Sequence, residues 1–161
     1  ADSAEASGVK WADAGGGGGG KILQVLTTTT STQASTAGSS ADSNLSLSIT
    51  PSSTSSKILV ISSVHVGFAS SGANQRGMVW IDRGGTNLTG HGKLMFYSPQ
   101  VSSVYYFSQV GLSFLDSPST TSATTYKIRF GKDTGHTMYI HESTGSASVK
   151  DSLTLLEIDG S

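Results

Sequence analysis

Residues 44–68 read NLSLSITPSSTSSKILVISSVHVGF, and their pattern decides the fold class. Leu45, Leu47 and Ile49 alternate with Ser46 and Ser48, the two-residue period of a strand with one buried face. Ile58-Leu59-Val60-Ile61 is apolar on both faces, which places that run inside a sheet or between two sheets. Between the runs, Pro51 has no N–H to give a ladder, and the serines after it favour turn geometry. The stretch is therefore a β-unit, and it implies an all-β domain.

Outward from it, the pattern repeats. Lys21 to Leu26 reads as a first strand, followed by a Thr/Ser/Ala segment to Ser43 that fits an exposed strand or a loop. On the other side, Ala69 to Gly77 reads as a polar loop and Met78 to Asp82 as a strand. Asp82-Arg83-Gly84-Gly85-Thr86 reads as a hairpin turn, since glycine accepts positive φ without steric cost. Gly90 to Gln100 carries no clear pattern. Val104 to Leu115 is the longest alternation, with Val104, Tyr106, Val110, Leu112 and Phe114 on one parity. Tyr105, Phe107, Gln109 and Leu115 take the other. Tyr126 to Phe130, Met138 to Ile140 and Leu153 to Ile158 supply the last strands. Eight or nine short strands without a helix, in about 140 residues, predict a jelly-roll-like antiparallel β-sandwich. It spans residues 21–161, behind a glycine-rich linker over residues 1–20. Six consecutive glycines, Gly15 to Gly20, make that linker a swivel, and Trp11 within it is suited to docking on a neighbouring subunit or domain.

Composition narrows the function classes. The 161 residues include no cysteine, so disulfides and thiolate metal sites are excluded. A formal net charge of −1 with 13% charged residues gives no basic stripe for nucleic acid. No apolar run reaches the ~18–20 residues of a membrane-spanning helix. The first residues are polar and lack the apolar stretch of a secretory signal, and Ala1 in place of methionine points to a processed chain or a piece of a longer one. Serine and threonine together number 48, a composition shared by half-exposed strands and by linkers; the alternation decides for strands.

The chemical motifs are weak. Gly15 to Lys21 matches GxxxxGK, but Ile22 stands where a phosphate loop needs Ser or Thr, and a strand follows instead of a helix. The four histidines, His65, His91, His136 and His141, form no His-x-His clamp. There is no GxSxG elbow, and the carboxylates Asp82, Asp116, Asp133, Glu142, Asp151 and Glu157 are scattered. Asn44-Leu45-Ser46 and Asn87-Leu88-Thr89 fit the N-glycosylation pattern, as many Ser/Thr-rich chains do. No catalytic residue, metal ligand or cofactor is assigned, and the chain reads as a non-enzyme.

Four pieces carry a resemblance: GGKILQV (19–25), SITPSSTSSKILV (48–60), FLDSPSTTSATTYKI (114–128) and SLTLLEI (152–158). In this order they resemble the C-terminal β-domain of bacteriophage tail-fibre and related virion structural proteins of marine and cyanobacterial phages. SGVKWADAG (7–15) is similar to the spacers between fibre modules. The resemblance implies a virion protein, a homotrimer with other virion proteins as partners, and a distal domain for attachment to a host receptor, polysaccharide or outer-membrane component. A capsid fibre or head decoration protein is the alternative. Aromatics on both parities of residues 104–115 suit either a three-fold interface or a strand sandwiched within one subunit. No family residue maps onto 67–101. Within it Trp80 reads as core, and Arg76, Arg83, Asn87 and Tyr97 are the receptor-surface candidates because their segments read as loops.

Overall fold

The computed structural model describes residues 20–68, 75–90, 96–98, 106–134, 137–141 and 150–160, with backbone alone at 75, 96–98, 106 and 134. The linker glycines before Gly20, Trp11, His91, His136, Val104 and Tyr105 lie outside them. Eleven strands are seen: β1 (Ile22–Thr30), β2 (Ala34–Thr36), β3 (Ala41–Ile49), β4 (Lys57–Phe68), β5 (Gln75–Arg83), β6 (Thr86–Asn87), β7 (Phe96–Ser98), β8 (Tyr106–Asp116), β9 (Thr124–Thr134), β10 (Met138–Ile140) and β11 (Asp151–Ile158).

They form two antiparallel sheets. In the first, β4 is central: β8 runs along one side of it, while β11 and then β10 line the other. β1 pairs with β11 and β2 with β10, so β1 and β2 are two halves of one edge row. The second sheet runs β3-β9-β5, with β6 and β7 sharing the last row. Each sheet thus has four rows. Following the chain, rows alternate between the sheets at every step except from β5 to β6/β7, which stay together. That wrapping is a jelly roll, and it explains why the sequence shows about as many strands as there are rows.

Alternation sets the core. Leu45 and Ile49 of β3, Tyr126, Ile128 and Phe130 of β9, and Val79 and Ile81 of β5 face Ile58, Val60, Val64, Val66 and Phe68 of β4 and Leu153 and Leu155 of β11. β3 carries a bulge at Asn44, whose φ of 62° lies in the left-handed region that Asn tolerates. From Ala41 to Leu47 the chain takes two more residues than its partner does from Phe130 to Tyr126, and an even insertion keeps Leu45, Leu47 and Ile49 on one face. β5 begins at Gln75 and β1 reaches Thr30, so the Ala69–Gly77 loop and the Thr/Ser segment are both partly strand. Gly84 (φ 56°) and Gly85 (φ 92°) make the β5–β6 hairpin turn with two consecutive positive φ values.

β4 lies inside a sheet, as its apolar run requires, but only one of its faces is covered. Ile58 and Val60 are fully buried, whereas Ile61 on the opposite face is 43% exposed. β8 behaves alike: Val110, Leu112 and Phe114 pack on the core, and Phe107 and Leu115 are exposed.

One buried carboxylate closes the end of the sandwich where the chain enters. Glu157 of β11 is 1% exposed. Its Oε1 accepts hydrogen bonds from Ser52 N (2.7 Å), Ser52 Oγ (2.6 Å) and Ser56 Oγ (2.7 Å), and its Oε2 accepts one from Gln24 Nε2 (2.6 Å). Burial alone would raise this carboxyl, but the bonds from Ser52, Gln24 and Ser56 outweigh it and hold the group at about 2, below its ordinary 4.5. Glu157 thereby ties β11 to β1 and to the β3–β4 turn.

Replacing Glu157 by Gln puts an amide where Gln24 donates, and chemical denaturation should show a loss of about 2 kcal/mol. The folded carboxyl is held below its unfolded value, so its stabilisation is full above pH 4.5 and fades as pH falls toward 2. Unfolding curves over that range should weaken progressively in the native chain, and the Glu157→Gln variant should show a shallower slope.

Candidate binding surface on the second sheet

The outward face of the second sheet is built by the residues of β9 that alternate with its core positions. Thr125, Lys127 and Arg129 stand between Tyr126, Ile128 and Phe130, and register sets Lys127 opposite Asp82 and Arg129 opposite Trp80 and Asp42. Asp42 Oδ2 lies 3.0 Å from Lys127 Nζ and its Oδ1 2.9 Å from Arg129 Nε. The hydrogen bond from Lys127, with the nearby charge of Arg129, holds Asp42 below the usual carboxylate value against a smaller opposing effect of burial. Asp82 is 4% exposed and its Oδ1 accepts from Gly85 N at 2.9 Å, which fixes the hairpin turn against the sheet.

These groups line a cleft of about 300 Å³, formed by Asp42, Asp82, Gly84, Gly85, Thr125, Lys127 and Arg129. A second cleft of about 380 Å³ adjoins it, sharing Gly84 and Thr125 and adding Pro118 and Thr120. Together they make a groove of mixed character, in which carboxylate acceptors, ammonium and guanidinium donors and threonine hydroxyls stand beside apolar surface, a combination that suits the hydroxyls and ring faces of a sugar. Trp80 is buried, but on the opposite face of β5 from Val79 and Ile81 and outside the inter-sheet core. The Arg129 guanidinium carbon sits 5.7 Å from its ring centroid, so Trp80 forms the floor beneath a cation.

The four receptor-surface candidates fall on strands in two pairs. Arg76 of β5 is the register partner of Tyr97 of β7, far from the hairpin. Its Nη1 lies 3.7 Å from Asp133 Oδ2, with both side chains about half exposed; the Tyr97 side chain lies outside the described residues. Arg83 and Asn87 stand at the hairpin, roughly 23 Å along β5 at ~3.3 Å per residue. Arg83 points across to the first sheet, where its Nη1 donates to Asp116 Oδ1 and Oδ2 at 2.8 and 2.6 Å. The Tyr126 hydroxyl donates to the same carboxylate at 2.7 Å, and burial together with Asp116 raises that hydroxyl's pKa. Asn87 Oδ1 accepts from Thr89 N and Gly90 N, folding its own turn. The structure thus joins Arg76 to Tyr97, commits Arg83 to a clamp between sheets, and engages Asn87 with backbone. The groove residues Asp42, Lys127 and Arg129 escape a loop-based search because they lie on strands. Their signal is the alternation of charge with Tyr126, Ile128 and Phe130.

Among the described residues no three of His, Asp and Glu gather to hold a metal ion. Asp151 Oδ1 lies 2.8 Å from His65 Nδ1 and 3.6 Å from His141 Nδ1, in the first sheet and apart from the groove.

No family model matches the chain, and no curated protein does. Chains in two structures of infectious bursal disease virus are similar in shape. That of the Gt strain is 16% identical with a TM-score of 0.39, over 84% of this chain and 32% of the viral one. That of the Gx strain is 14% identical with a TM-score of 0.40, over 84% and 39%. This chain spans about a third of their length, and a likeness this slight carries nothing over to it.

Asp116→Ala leaves Arg83 and Tyr126 without their acceptor and should cost about 3 kcal/mol in urea unfolding. Tyr126→Phe should cost about 1.5 kcal/mol, whereas Asp42→Ala, at an exposed ion pair, should change stability by less than about 1 kcal/mol.

Proposed function

We propose that this chain is a non-enzymatic structural and binding domain of a bacteriophage particle: the terminal jelly-roll domain of a homotrimeric tail fibre, used in attachment to the host. The observation that carries this reading is the polarity of the sandwich. Gly20, at the start of the domain, lies beside the end of β11, where Asp159 N donates to Lys21 O at 2.8 Å. The strand ends Phe68, Gln75, Ser98, Tyr106 and Thr134 stand at the opposite pole. A domain held at Gly20 presents that far pole, with Arg76 beside it, and offers the groove of the second sheet along its flank. Segments at the end of a rigid scaffold are well placed for recognition. The resemblance of the four sequence pieces to tail-fibre domains supports the same assignment.

The groove's hydroxyls and charges favour a polysaccharide receptor over an apolar one. Individually weak contacts gain from multiplicity, since three copies per fibre and several fibres per particle raise apparent affinity without a new kind of contact.

A second reading, a capsid fibre or head decoration protein, is favoured by the open apolar face of the first sheet, which suits a domain seated among other subunits. Immunogold electron microscopy of particles, with antibody raised against the purified domain, separates the two. Label at the distal ends of tail fibres, with the free domain slowing adsorption to host cells, is the expected result. Label spread over the head would sink the attachment reading in favour of decoration.

A further inference from the structure

We propose that the outward face of the first sheet is where identical copies of this chain meet. Register aligns Leu115 of β8, Leu59 of β4, Leu156 of β11 and Val25 of β1 in one row across all four strands. The row on one side is Ser113, Ile61, Thr154 and Thr27; on the other side Ile22 pairs with Ile158. Leu115, Val25, Ile22 and Ile61 are 50%, 55%, 54% and 43% exposed, and Leu23 and Phe107 extend the surface at 40% each. Large side chains held in water side by side on one face mark an interaction site, unlike apolar residues scattered singly.

Charge and size point to a second copy as the occupant. Along its four strands this face carries no exposed carboxylate or guanidinium among the described residues; Lys57 stands at one rim near Ser117 and Lys150, just before β11, at the other end. Three identical faces can therefore gather about a three-fold axis without the like-charge repulsion that identical charged surfaces suffer. Two polar pairs near the apolar row are satisfied within the face, Thr27 with Thr154 at 3.0 Å and Gln109 with Ser63 at 2.7 Å. Covering those four side chains does not break the bonds they already make. Four strands about 4.8 Å apart and about nine residues long give a face of roughly 19 by 30 Å, about 570 Å² before side-chain relief. That approaches the roughly 800 Å² per partner of a stable interface, with an apolar centre and a polar rim.

The inference rests on the homotrimer reading, and its test separates the two. Sedimentation and light scattering of the full chain at micromolar concentration should give a multiple of 16.5 kDa. Ile61→Glu should lower the mass to that of one chain while circular dichroism and thermal unfolding of the monomer stay cooperative. Ser113→Lys places a charge at an exposed position in register with Ile61, so it tests the face even if Ile61→Glu does not fold. A native chain that sediments as a monomer overturns both the interface and the homotrimer. A native oligomer that survives Ser113→Lys with unchanged mass and dissociation constant overturns the interface alone.

Discussion

The structure depends on the way a single buried carboxylate is satisfied. A charged group out of water destabilises a fold unless donors surround it, and Glu157 finds four. Those donors come from β1 and from the turn between β3 and β4, so the charge can be buried only when the first sheet, its edge strand and the crossing to the second sheet are all in place. The Ser52–Ser56 turn is more than a reversal of direction: its hydroxyls are the solvent of Glu157. At the same end of the molecule Asp116 does related work from β8, drawing Arg83 and Tyr126 of the second sheet toward the first.

Much of the fold was legible because alternation is a local property. Leu45, Leu47 and Ile49, or Tyr126, Ile128 and Phe130, announce one buried face without reference to any partner. The rows split between two short strands were not legible. β6 and β7 have two and three residues, too few to show a period, and exist because β5 offers them an edge. β1 and β2 likewise make one row only because β11 and β10 follow each other along β4. The bulge at Asn44 leaves no trace in the pattern, since an even insertion preserves parity.

The surface was harder to read than the core. Arg83 and Asn87 lie in a stretch that looks like a turn, and they do stand at one, yet each is engaged internally by partners the local pattern does not reveal. Asp116 is distant in sequence, and the backbone amides held by Asn87 look like any others. Trp80 shares its strand with Val79 and Ile81 and is as fully buried as composition suggests, but parity places it on the other face of the sheet, beneath Arg129. Charge alternating with aromatic and aliphatic residues in β9 was the readable sign of the groove. Similarly, the two apolar parities of β4 and β8 signal one covered face and one open one.

The neighbouring positions of Gly20 and Gly160 have a mechanical consequence. β1 and β11 are antiparallel partners, and the ladder closes with Asp159 bonded to Lys21. Hydrogen bonds in such a ladder run across the strands. Tension applied between the two ends would open them one at a time, like a zip, and meet little resistance. Tension applied at Gly20 against a hold at the far pole acts along β1 and loads its whole row of bonds with β11 together, in shear. The same edge strand is therefore weak in one direction of pull and strong in the other.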